Sequence, residues 1–179
     1  MIRKSGPRFS DKIMLKSKTE TAYVFREMTA ADLPTIERWL GSPHVREWWG
    51  DPTEQHLLVS GDLTEPAMDQ FIVSAGGNDF AYIQCYDLTA WNSGFGAQPP
   101  GTRGIDQFIG EPDMIERGHG SAFIRAFVDR VLAGGAPRVV TDPDPENPRA
   151  IRAYEKAGFE KVRLVDTPDG TALLMVRNA

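Results

Sequence analysis

Apolar residues along the chain fall into short runs parted by Gly, Pro and polar clusters, and two periodicities alternate among them. Tyr23–Met28 reads as a first strand, and Thr29 follows with a hydroxyl placed to satisfy early helix amides. Leu33, Ile36, Glu37 and Leu40 continue at helical spacing until Gly41 closes the helix. Residues 42–52, with Trp48-Trp49-Gly50, read as loop, and a short helix follows over Glu54–Leu63. Asp69–Ala75 and Phe80–Leu88 are largely apolar, as expected of central strands, and Gly76-Gly77-Asn78-Asp79 turns between them.

Residues 90–102 are rich in Gly and Pro and long enough to suggest a functional loop. Arg103–Ile109 reads as the fourth strand. Arg117-Gly118-His119-Gly120 then opens a helix through Leu132, with Phe123, Ile124, Phe127, Val128 and Val131 on one stripe. Arg138–Thr141 is a fifth strand, Asp142–Pro148 a polar loop, and Asn147–Ala157 a helix ended by Gly158. Glu160–Val165, the turn Pro168-Asp169-Gly170 and Ala172–Val176 form a closing hairpin. The expected fold is a single α/β (α+β) domain with a mixed sheet of about seven strands and helices on both faces.

Charge adds an asymmetry. Residues 1–20 hold six Lys/Arg against Asp11 and Glu20, so the net −5 of the chain hides −9 on residues 21–179. The basic segment 1–20 lacks the apolar stretch of a secretory signal and reads as a flexible extension of a folded domain at 21–179. An acidic body repels nucleic acid and attracts cationic small molecules. No apolar run is long enough for a membrane helix. Cys85 is the only cysteine, which excludes an internal disulfide and suggests no Cys-based metal site; a cytoplasmic protein is expected. Cys85 reads as a packed thiol, since no His stands at usable spacing.

The strand–Gly loop–helix unit at 103–132 carries the first chemical signal. Amides exposed at a helix N-terminus, aided by the helix dipole, hold phosphate well, and glycine lets the backbone approach closely. An ordinary tight turn would use the same residues. Neither a Walker loop nor a dinucleotide fingerprint fits, because Gly-Lys-Ser/Thr and a third glycine are both missing.

Downstream, Asn147–Phe159 spells N-x-x-A-I-x-x-Y-x-x-x-G-F. Together with the Gly loop it resembles the GNAT superfamily of acetyl-CoA-dependent N-acetyltransferases. The resemblance implies that Arg117, Gly118, His119, Gly120 and Ser121 hold the coenzyme A pyrophosphate. It also implies that the pantetheine arm lies between splayed parallel strands Arg103–Ile109 and Arg138–Thr141. Gln107, Phe108, Ile109, Asn147 and Ala150 would contact that arm, and Tyr154 would stand beside the thioester sulfur. A phenol there can protonate or stabilise a departing thiolate; otherwise Tyr154 and Ile151 pack one helix onto the sheet. Ile115 departs from the family pattern, which usually has Arg or Gln three residues before the first glycine.

Shorter segments are similar to one branch, the aminoglycoside 6'-N-acetyltransferases. They are Trp48-Trp49-Gly50, Tyr82–Tyr86, Arg103–Gln107, Thr141-Asp142-Pro143 and Thr167–Gly170. A pocket for a polycationic sugar needs carboxylates and flat surfaces, and Trp48, Trp49, Gln84, Asp106, Asp142, Asp144 and Asp169 supply candidates. The resemblance gives Asp106 the catalytic part of orienting the amine and taking its proton. An ordinary Asp pKa of about 3.9 suits that poorly unless burial raises it. The alternatives are a siderophore-precursor (lysine or hydroxylysine) N-acyltransferase, where His is expected in place of Asp106, and a non-catalytic acyl-CoA-binding module. The expected partners are a small cationic amine and acetyl-CoA as cosubstrate, with no metal, nucleic acid or membrane, in a monomer or homodimer.

Overall fold

A computed structural model describes residues 22–91 and 94–179, so the basic segment 1–20 lies outside the described residues. Strand β1 (Tyr23–Glu27) leads through a turn into helix α1 (Leu33–Leu40). In that turn the Asp32 carboxylate accepts from the Thr29 amide at 2.8 Å and the Thr29 hydroxyl at 3.1 Å. Helix α2 (Pro43–Trp49) occupies the stretch where the sequence suggested a loop, and helix α3 (Pro52–Gly61) stands where a short helix was expected, starting two residues earlier. Each begins on a proline, whose missing N–H costs nothing at a first helical position. Asp51 caps α3 by accepting from the Thr53 and Glu54 amides at 2.9 and 3.1 Å. Reading Trp48-Trp49-Gly50 as loop missed that Gly50, at φ 83°, ends a helix.

Strands β2 (Met68–Ala75), β3 (Asn78–Asp87) and β4 (Arg103–Ile109) precede helix α4 (His119–Ala133). Strand β5 (Arg138–Thr141), helix α5 (Pro148–Lys156) and the hairpin β6 (Glu160–Thr167) and β7 (Gly170–Asn178) complete the chain. The seven strands form one sheet in the order β1-β2-β3-β4-β5-β7-β6. Every neighbouring pair is antiparallel except β4 and β5.

Three apolar clusters cover the sheet. On one face α4 and α5 press Phe123, Phe127, Ile151 and Tyr154 against Val73, Ile83, Ile105 and Val139. On the other, α1 to α3 bury Trp39, Leu40 and Val59 over Ile72, Tyr82 and Phe108. Beside them the 88–102 connection lays Leu88 and Phe95 over Val140, Leu174 and Val176. Strand side chains alternate between faces, so Tyr82, Gln84 and Tyr86 share the α1–α3 side with Asp106 and Phe108, which stand opposite them in register.

Gly110 shows how tightly the end of β4 is held. A Cβ there would stand 2.1 Å from the fully buried indole of Trp39. That indole cannot swing away, because its Nε1 donates to Glu111 at 2.8 Å. Gly110→Ala should therefore destabilise the fold by about 2 kcal/mol or more. A thermal melt should show Tm lowered by roughly 5 °C or more; an unchanged Tm would mean the indole has room to move.

Candidate active site

The sheet opens at its centre. Strands β4 and β5 pair only at Arg103–Val139 and Gly104–Val140, while β4 runs on to Ile109. Beyond Gly104 the edge of β4 that faces β5 has no strand partner among the described residues. Tyr154, on the buried stripe of α5, fills the place where the ladder stops: its hydroxyl interacts with Thr141 of β5 and Gln107 of β4. Its ring is fixed edge-on to Phe159, with centroids 5.4 Å apart. Burial pushes the phenol well above its ordinary pKa, and Asp106 and Asp142 nearby push the same way.

Below this opening runs a cleft of about 310 Å³. Its walls are α2, the end of β4, the Gly loop and α5. Of the residues expected at a cofactor, Gln107, Phe108, Ile109, Gly118, Gly120, Ser121, Asn147 and Ala150 line it. Gly118 caps α4 in the left-handed conformation, φ 84°, which favours glycine. The first amides of α4 are free of intrahelical partners there. Arg117 is exposed and does not line the cleft. The ring of His119 faces elsewhere: its Nδ1 meets the Tyr23 hydroxyl at 2.9 Å and the ring packs on Phe80. Asn147 spends its Oδ1 on capping α5, accepting from the Ala150 amide at 3.0 Å, which leaves its Nδ2 for a ligand.

Sequence reasoning missed several cleft residues. Arg149, Arg152 and Lys156 make one basic wall, and their helical spacing was the signal that could have found them. His44 of α2 also lines the cleft; its Nε2 meets the Ile109 carbonyl at 2.9 Å, so that nitrogen carries the proton. A strip of cationic side chains beside free helix amides suits a pyrophosphate ester, and this fits the chemistry of coenzyme A despite Ile115.

Across the opening the polarity reverses. Asp106 on β4, Asp142 just after β5 and Asp169 at the β6–β7 turn lie near one another: the charge of Asp169 favours the protonated form of both Asp106 and Asp142, and Asp106 does the same to Asp142. Asp106 keeps some solvent access, yet protein surrounds its carboxylate, and that desolvation is the main cause of its raised pKa. Asp142 is raised too, by burial first and then by Asp106 and Asp169. Asp144 does not join them: it is exposed, and its carboxylate accepts from the Glu146 amide at 2.7 Å. Gln84 donates its Nε2 to Asp106 Oδ2 at 2.9 Å. Trp49 packs edge-on to Phe108 at 4.8 Å and Tyr82 at 6.0 Å, and both Trp48 and Trp49 border the cleft.

The raised carboxyls have a stability consequence. They hold protons that the unfolded chain releases near pH 3.9. The folded state is therefore favoured below the raised range, and stability falls as pH climbs from about 4 through it. Asp142→Asn removes part of that loss. Thermal melts across pH 5 to 8 should show the variant gaining Tm over the native protein as pH rises; a constant difference would rule out the raised proton affinity.

A sheet split between two parallel strands, a basic cleft under the split and a helix with its phenol at the split define an acyl-coenzyme A transferase scaffold. Residues 28–167 match the acetyltransferase (GNAT) domain family, and the chain belongs to it. It is 34% identical to aminoglycoside N(6')-acetyltransferase type 1 of Klebsiella pneumoniae, across 93% of this chain and 88% of that one. The solved structure of AAC(6')-Ib in complex with paromomycin and acetyl-CoA is similar at TM-score 0.78 and 35% identity. That match covers 88% of this chain and 93% of the other. The same enzyme with coenzyme A and kanamycin is similar at TM-score 0.77 and 35% identity, over 88% and 95% of the two chains.

Proposed function

We propose that this protein transfers the acetyl group of acetyl-CoA to the 6'-amine of an aminoglycoside. The observation that carries the reading is the meeting of two carboxylates and a phenol at the β4–β5 opening, between a basic cleft and an acidic mouth. A cationic sugar suits the acidic side as coenzyme A suits the basic one. The curated relative and the two solved structures act on or hold aminoglycosides, which supports the same acceptor here.

Acetyl-CoA supplies an electrophilic thioester carbonyl at the opening. Asp106 orients the ammonium and takes its proton, directly or through water, and its raised pKa makes it a better base than a free Asp. The freed amine attacks the carbonyl carbon; the C–N bond forms and the C–S bond breaks. Tyr154 donates its hydroxyl proton toward the leaving sulfur, and its high pKa keeps that proton in place until then. Asp106 and Tyr154 come from opposite faces of the sheet, so the base and the acid can reach the reacting carbon without occupying the same side. Asp142 and Asp169 hold further ammonium groups, while Trp48 and Trp49 offer flat surfaces to sugar rings. Among the described residues no helix is long and apolar enough to cross a membrane and no group of side chains could hold a metal. Dependence on acetyl-CoA supports a cytoplasmic enzyme.

The test is a thiol-release assay with acetyl-CoA and a panel of kanamycin, tobramycin, lysine and N6-hydroxylysine. Turnover with the aminoglycosides supports the reading. Turnover only with the lysines moves the protein to siderophore-precursor acylation, and tight acetyl-CoA binding without turnover makes it a non-catalytic module.

A further inference from the structure

Tyr82 is fully buried, and most of its ring surface is accounted for by packing. The ring stacks on Phe108, with centroids 5.3 Å apart and planes 27° apart, and meets Trp49 edge-on. Phenylalanine would pack equally well, so the hydroxyl needs its own account. It donates to Gln84 Oε1 at 2.7 Å, two residues along the same strand. Gln84 in turn stands opposite Asp106 in register and donates its Nε2 to Oδ2 of that residue at 2.9 Å. The two bonds form one directed path from the core to the carboxylate.

The direction matters because an amide has two ends. With its Oε1 bound to a hydroxyl proton, Gln84 must present N–H to Asp106; turned over, it would present an oxygen to a carboxylate. The Gln70 side chain also interacts with this hydroxyl, and its Nε2 donates to the Val59 carbonyl at 3.0 Å. Yet Gln70 Oε1 is buried without a hydrogen-bond donor, a costly state for an amide oxygen. The one phenolic proton goes to Gln84 Oε1.

We propose that Tyr82 is a positioning residue that locks the Gln84 amide, so that Asp106 always receives an N–H on Oδ2 and keeps Oδ1 for the acceptor amine. The lock holds Asp106 partly ionised against its surroundings. Those are Asp142 and Asp169 from the two loops, Tyr154 from α5, and Tyr82, Cys85 and Tyr86 from β3, with Asp62 behind Tyr82. Among these, Gln84 is the group that favours the charged carboxylate. The role assigned to Oδ1 rests on the proposed acetyl transfer; the lock itself does not.

Carbon-13 NMR of the Asp106 carboxyl, titrated in native protein and in Tyr82→Phe, reads the lock without any substrate. Freeing the amide should raise the Asp106 midpoint by about one pH unit. Gln84→Leu, which removes the donor outright, should raise it at least as far. Kinetics with kanamycin should show the acid limb of kcat/KM moving by the same amount, with KM for acetyl-CoA unchanged. Equal midpoints in native protein and Tyr82→Phe would overturn the proposal. If Tyr82→Phe proves unstable, the Gln84→Leu titration decides: an unmoved midpoint there sinks it as well. A native enzyme inactive on every aminoglycoside would remove the acetyl-transfer reading, while the titration would still decide the lock.

Discussion

Asp106→Asn should lower kcat/KM for kanamycin by roughly 10²- to 10⁴-fold, the range for losing a positioned general base. Affinity for acetyl-CoA should stay near that of the native enzyme. Asn matches Asp in shape and can still meet Gln84, so the fold is kept while proton uptake and negative charge are lost. The charge matters twice over, because Asp106 also helps hold Asp142 above its ordinary pKa. In the variant Asp142 ionises more readily and is left as the nearest carboxylate to the amine. The residual rate should therefore depend on Asp142, and adding Asp142→Asn should cost more than it does in the native background. Steady-state kinetics of the two single variants and the double variant, with calorimetry for acetyl-CoA, measure this. An Asp106→Asn enzyme that keeps most of its rate would remove Asp106 from the chemistry.

Much of this arrangement was legible because its parts are local. The strands β4 and β5 follow from apolar runs, and the Asn147–Phe159 pattern places Tyr154 on the buried stripe of a helix. Alternation along β3 and β4 was enough to set Gln84 across from Asp106. What escaped depends on the third dimension. The helix at Pro43–Trp49 has apolar residues that fit either loop or helix, and only packing over Tyr82 and Phe108 decides between them. His119 sits in the Gly loop by sequence, yet its ring turns to Tyr23 of the first strand, a contact across 96 residues. Asp144 and Asp142 are two residues apart and read alike as one acidic loop; a turn bond claims the first, and burial the second. The register of charge along the site, basic at α5 and acidic at the hairpin turn, appears only when the two are brought to one opening.

Tyr154→Phe tests the other side of that opening, and here the loss should fall on kcat. The ring packs on Phe159 and belongs to the buried stripe of α5, so phenylalanine keeps the helix in place. Only the hydroxyl goes, and with it the proton offered to the departing sulfur. A drop of roughly 10²-fold or more in kcat is expected, with KM for acetyl-CoA little altered. Because burial keeps the native phenol protonated far above neutrality, the native pH profile should show no loss of this acid across the assay range. The Phe variant should therefore be slow at every pH, in contrast to Tyr82→Phe, whose defect is a displaced acid limb. Unchanged kcat in Tyr154→Phe would reduce the residue to packing. A rise in KM for acetyl-CoA at constant kcat would make the hydroxyl a contact for the pantetheine arm, held with Thr141 and Gln107, and would leave the thiolate to depart without an acid.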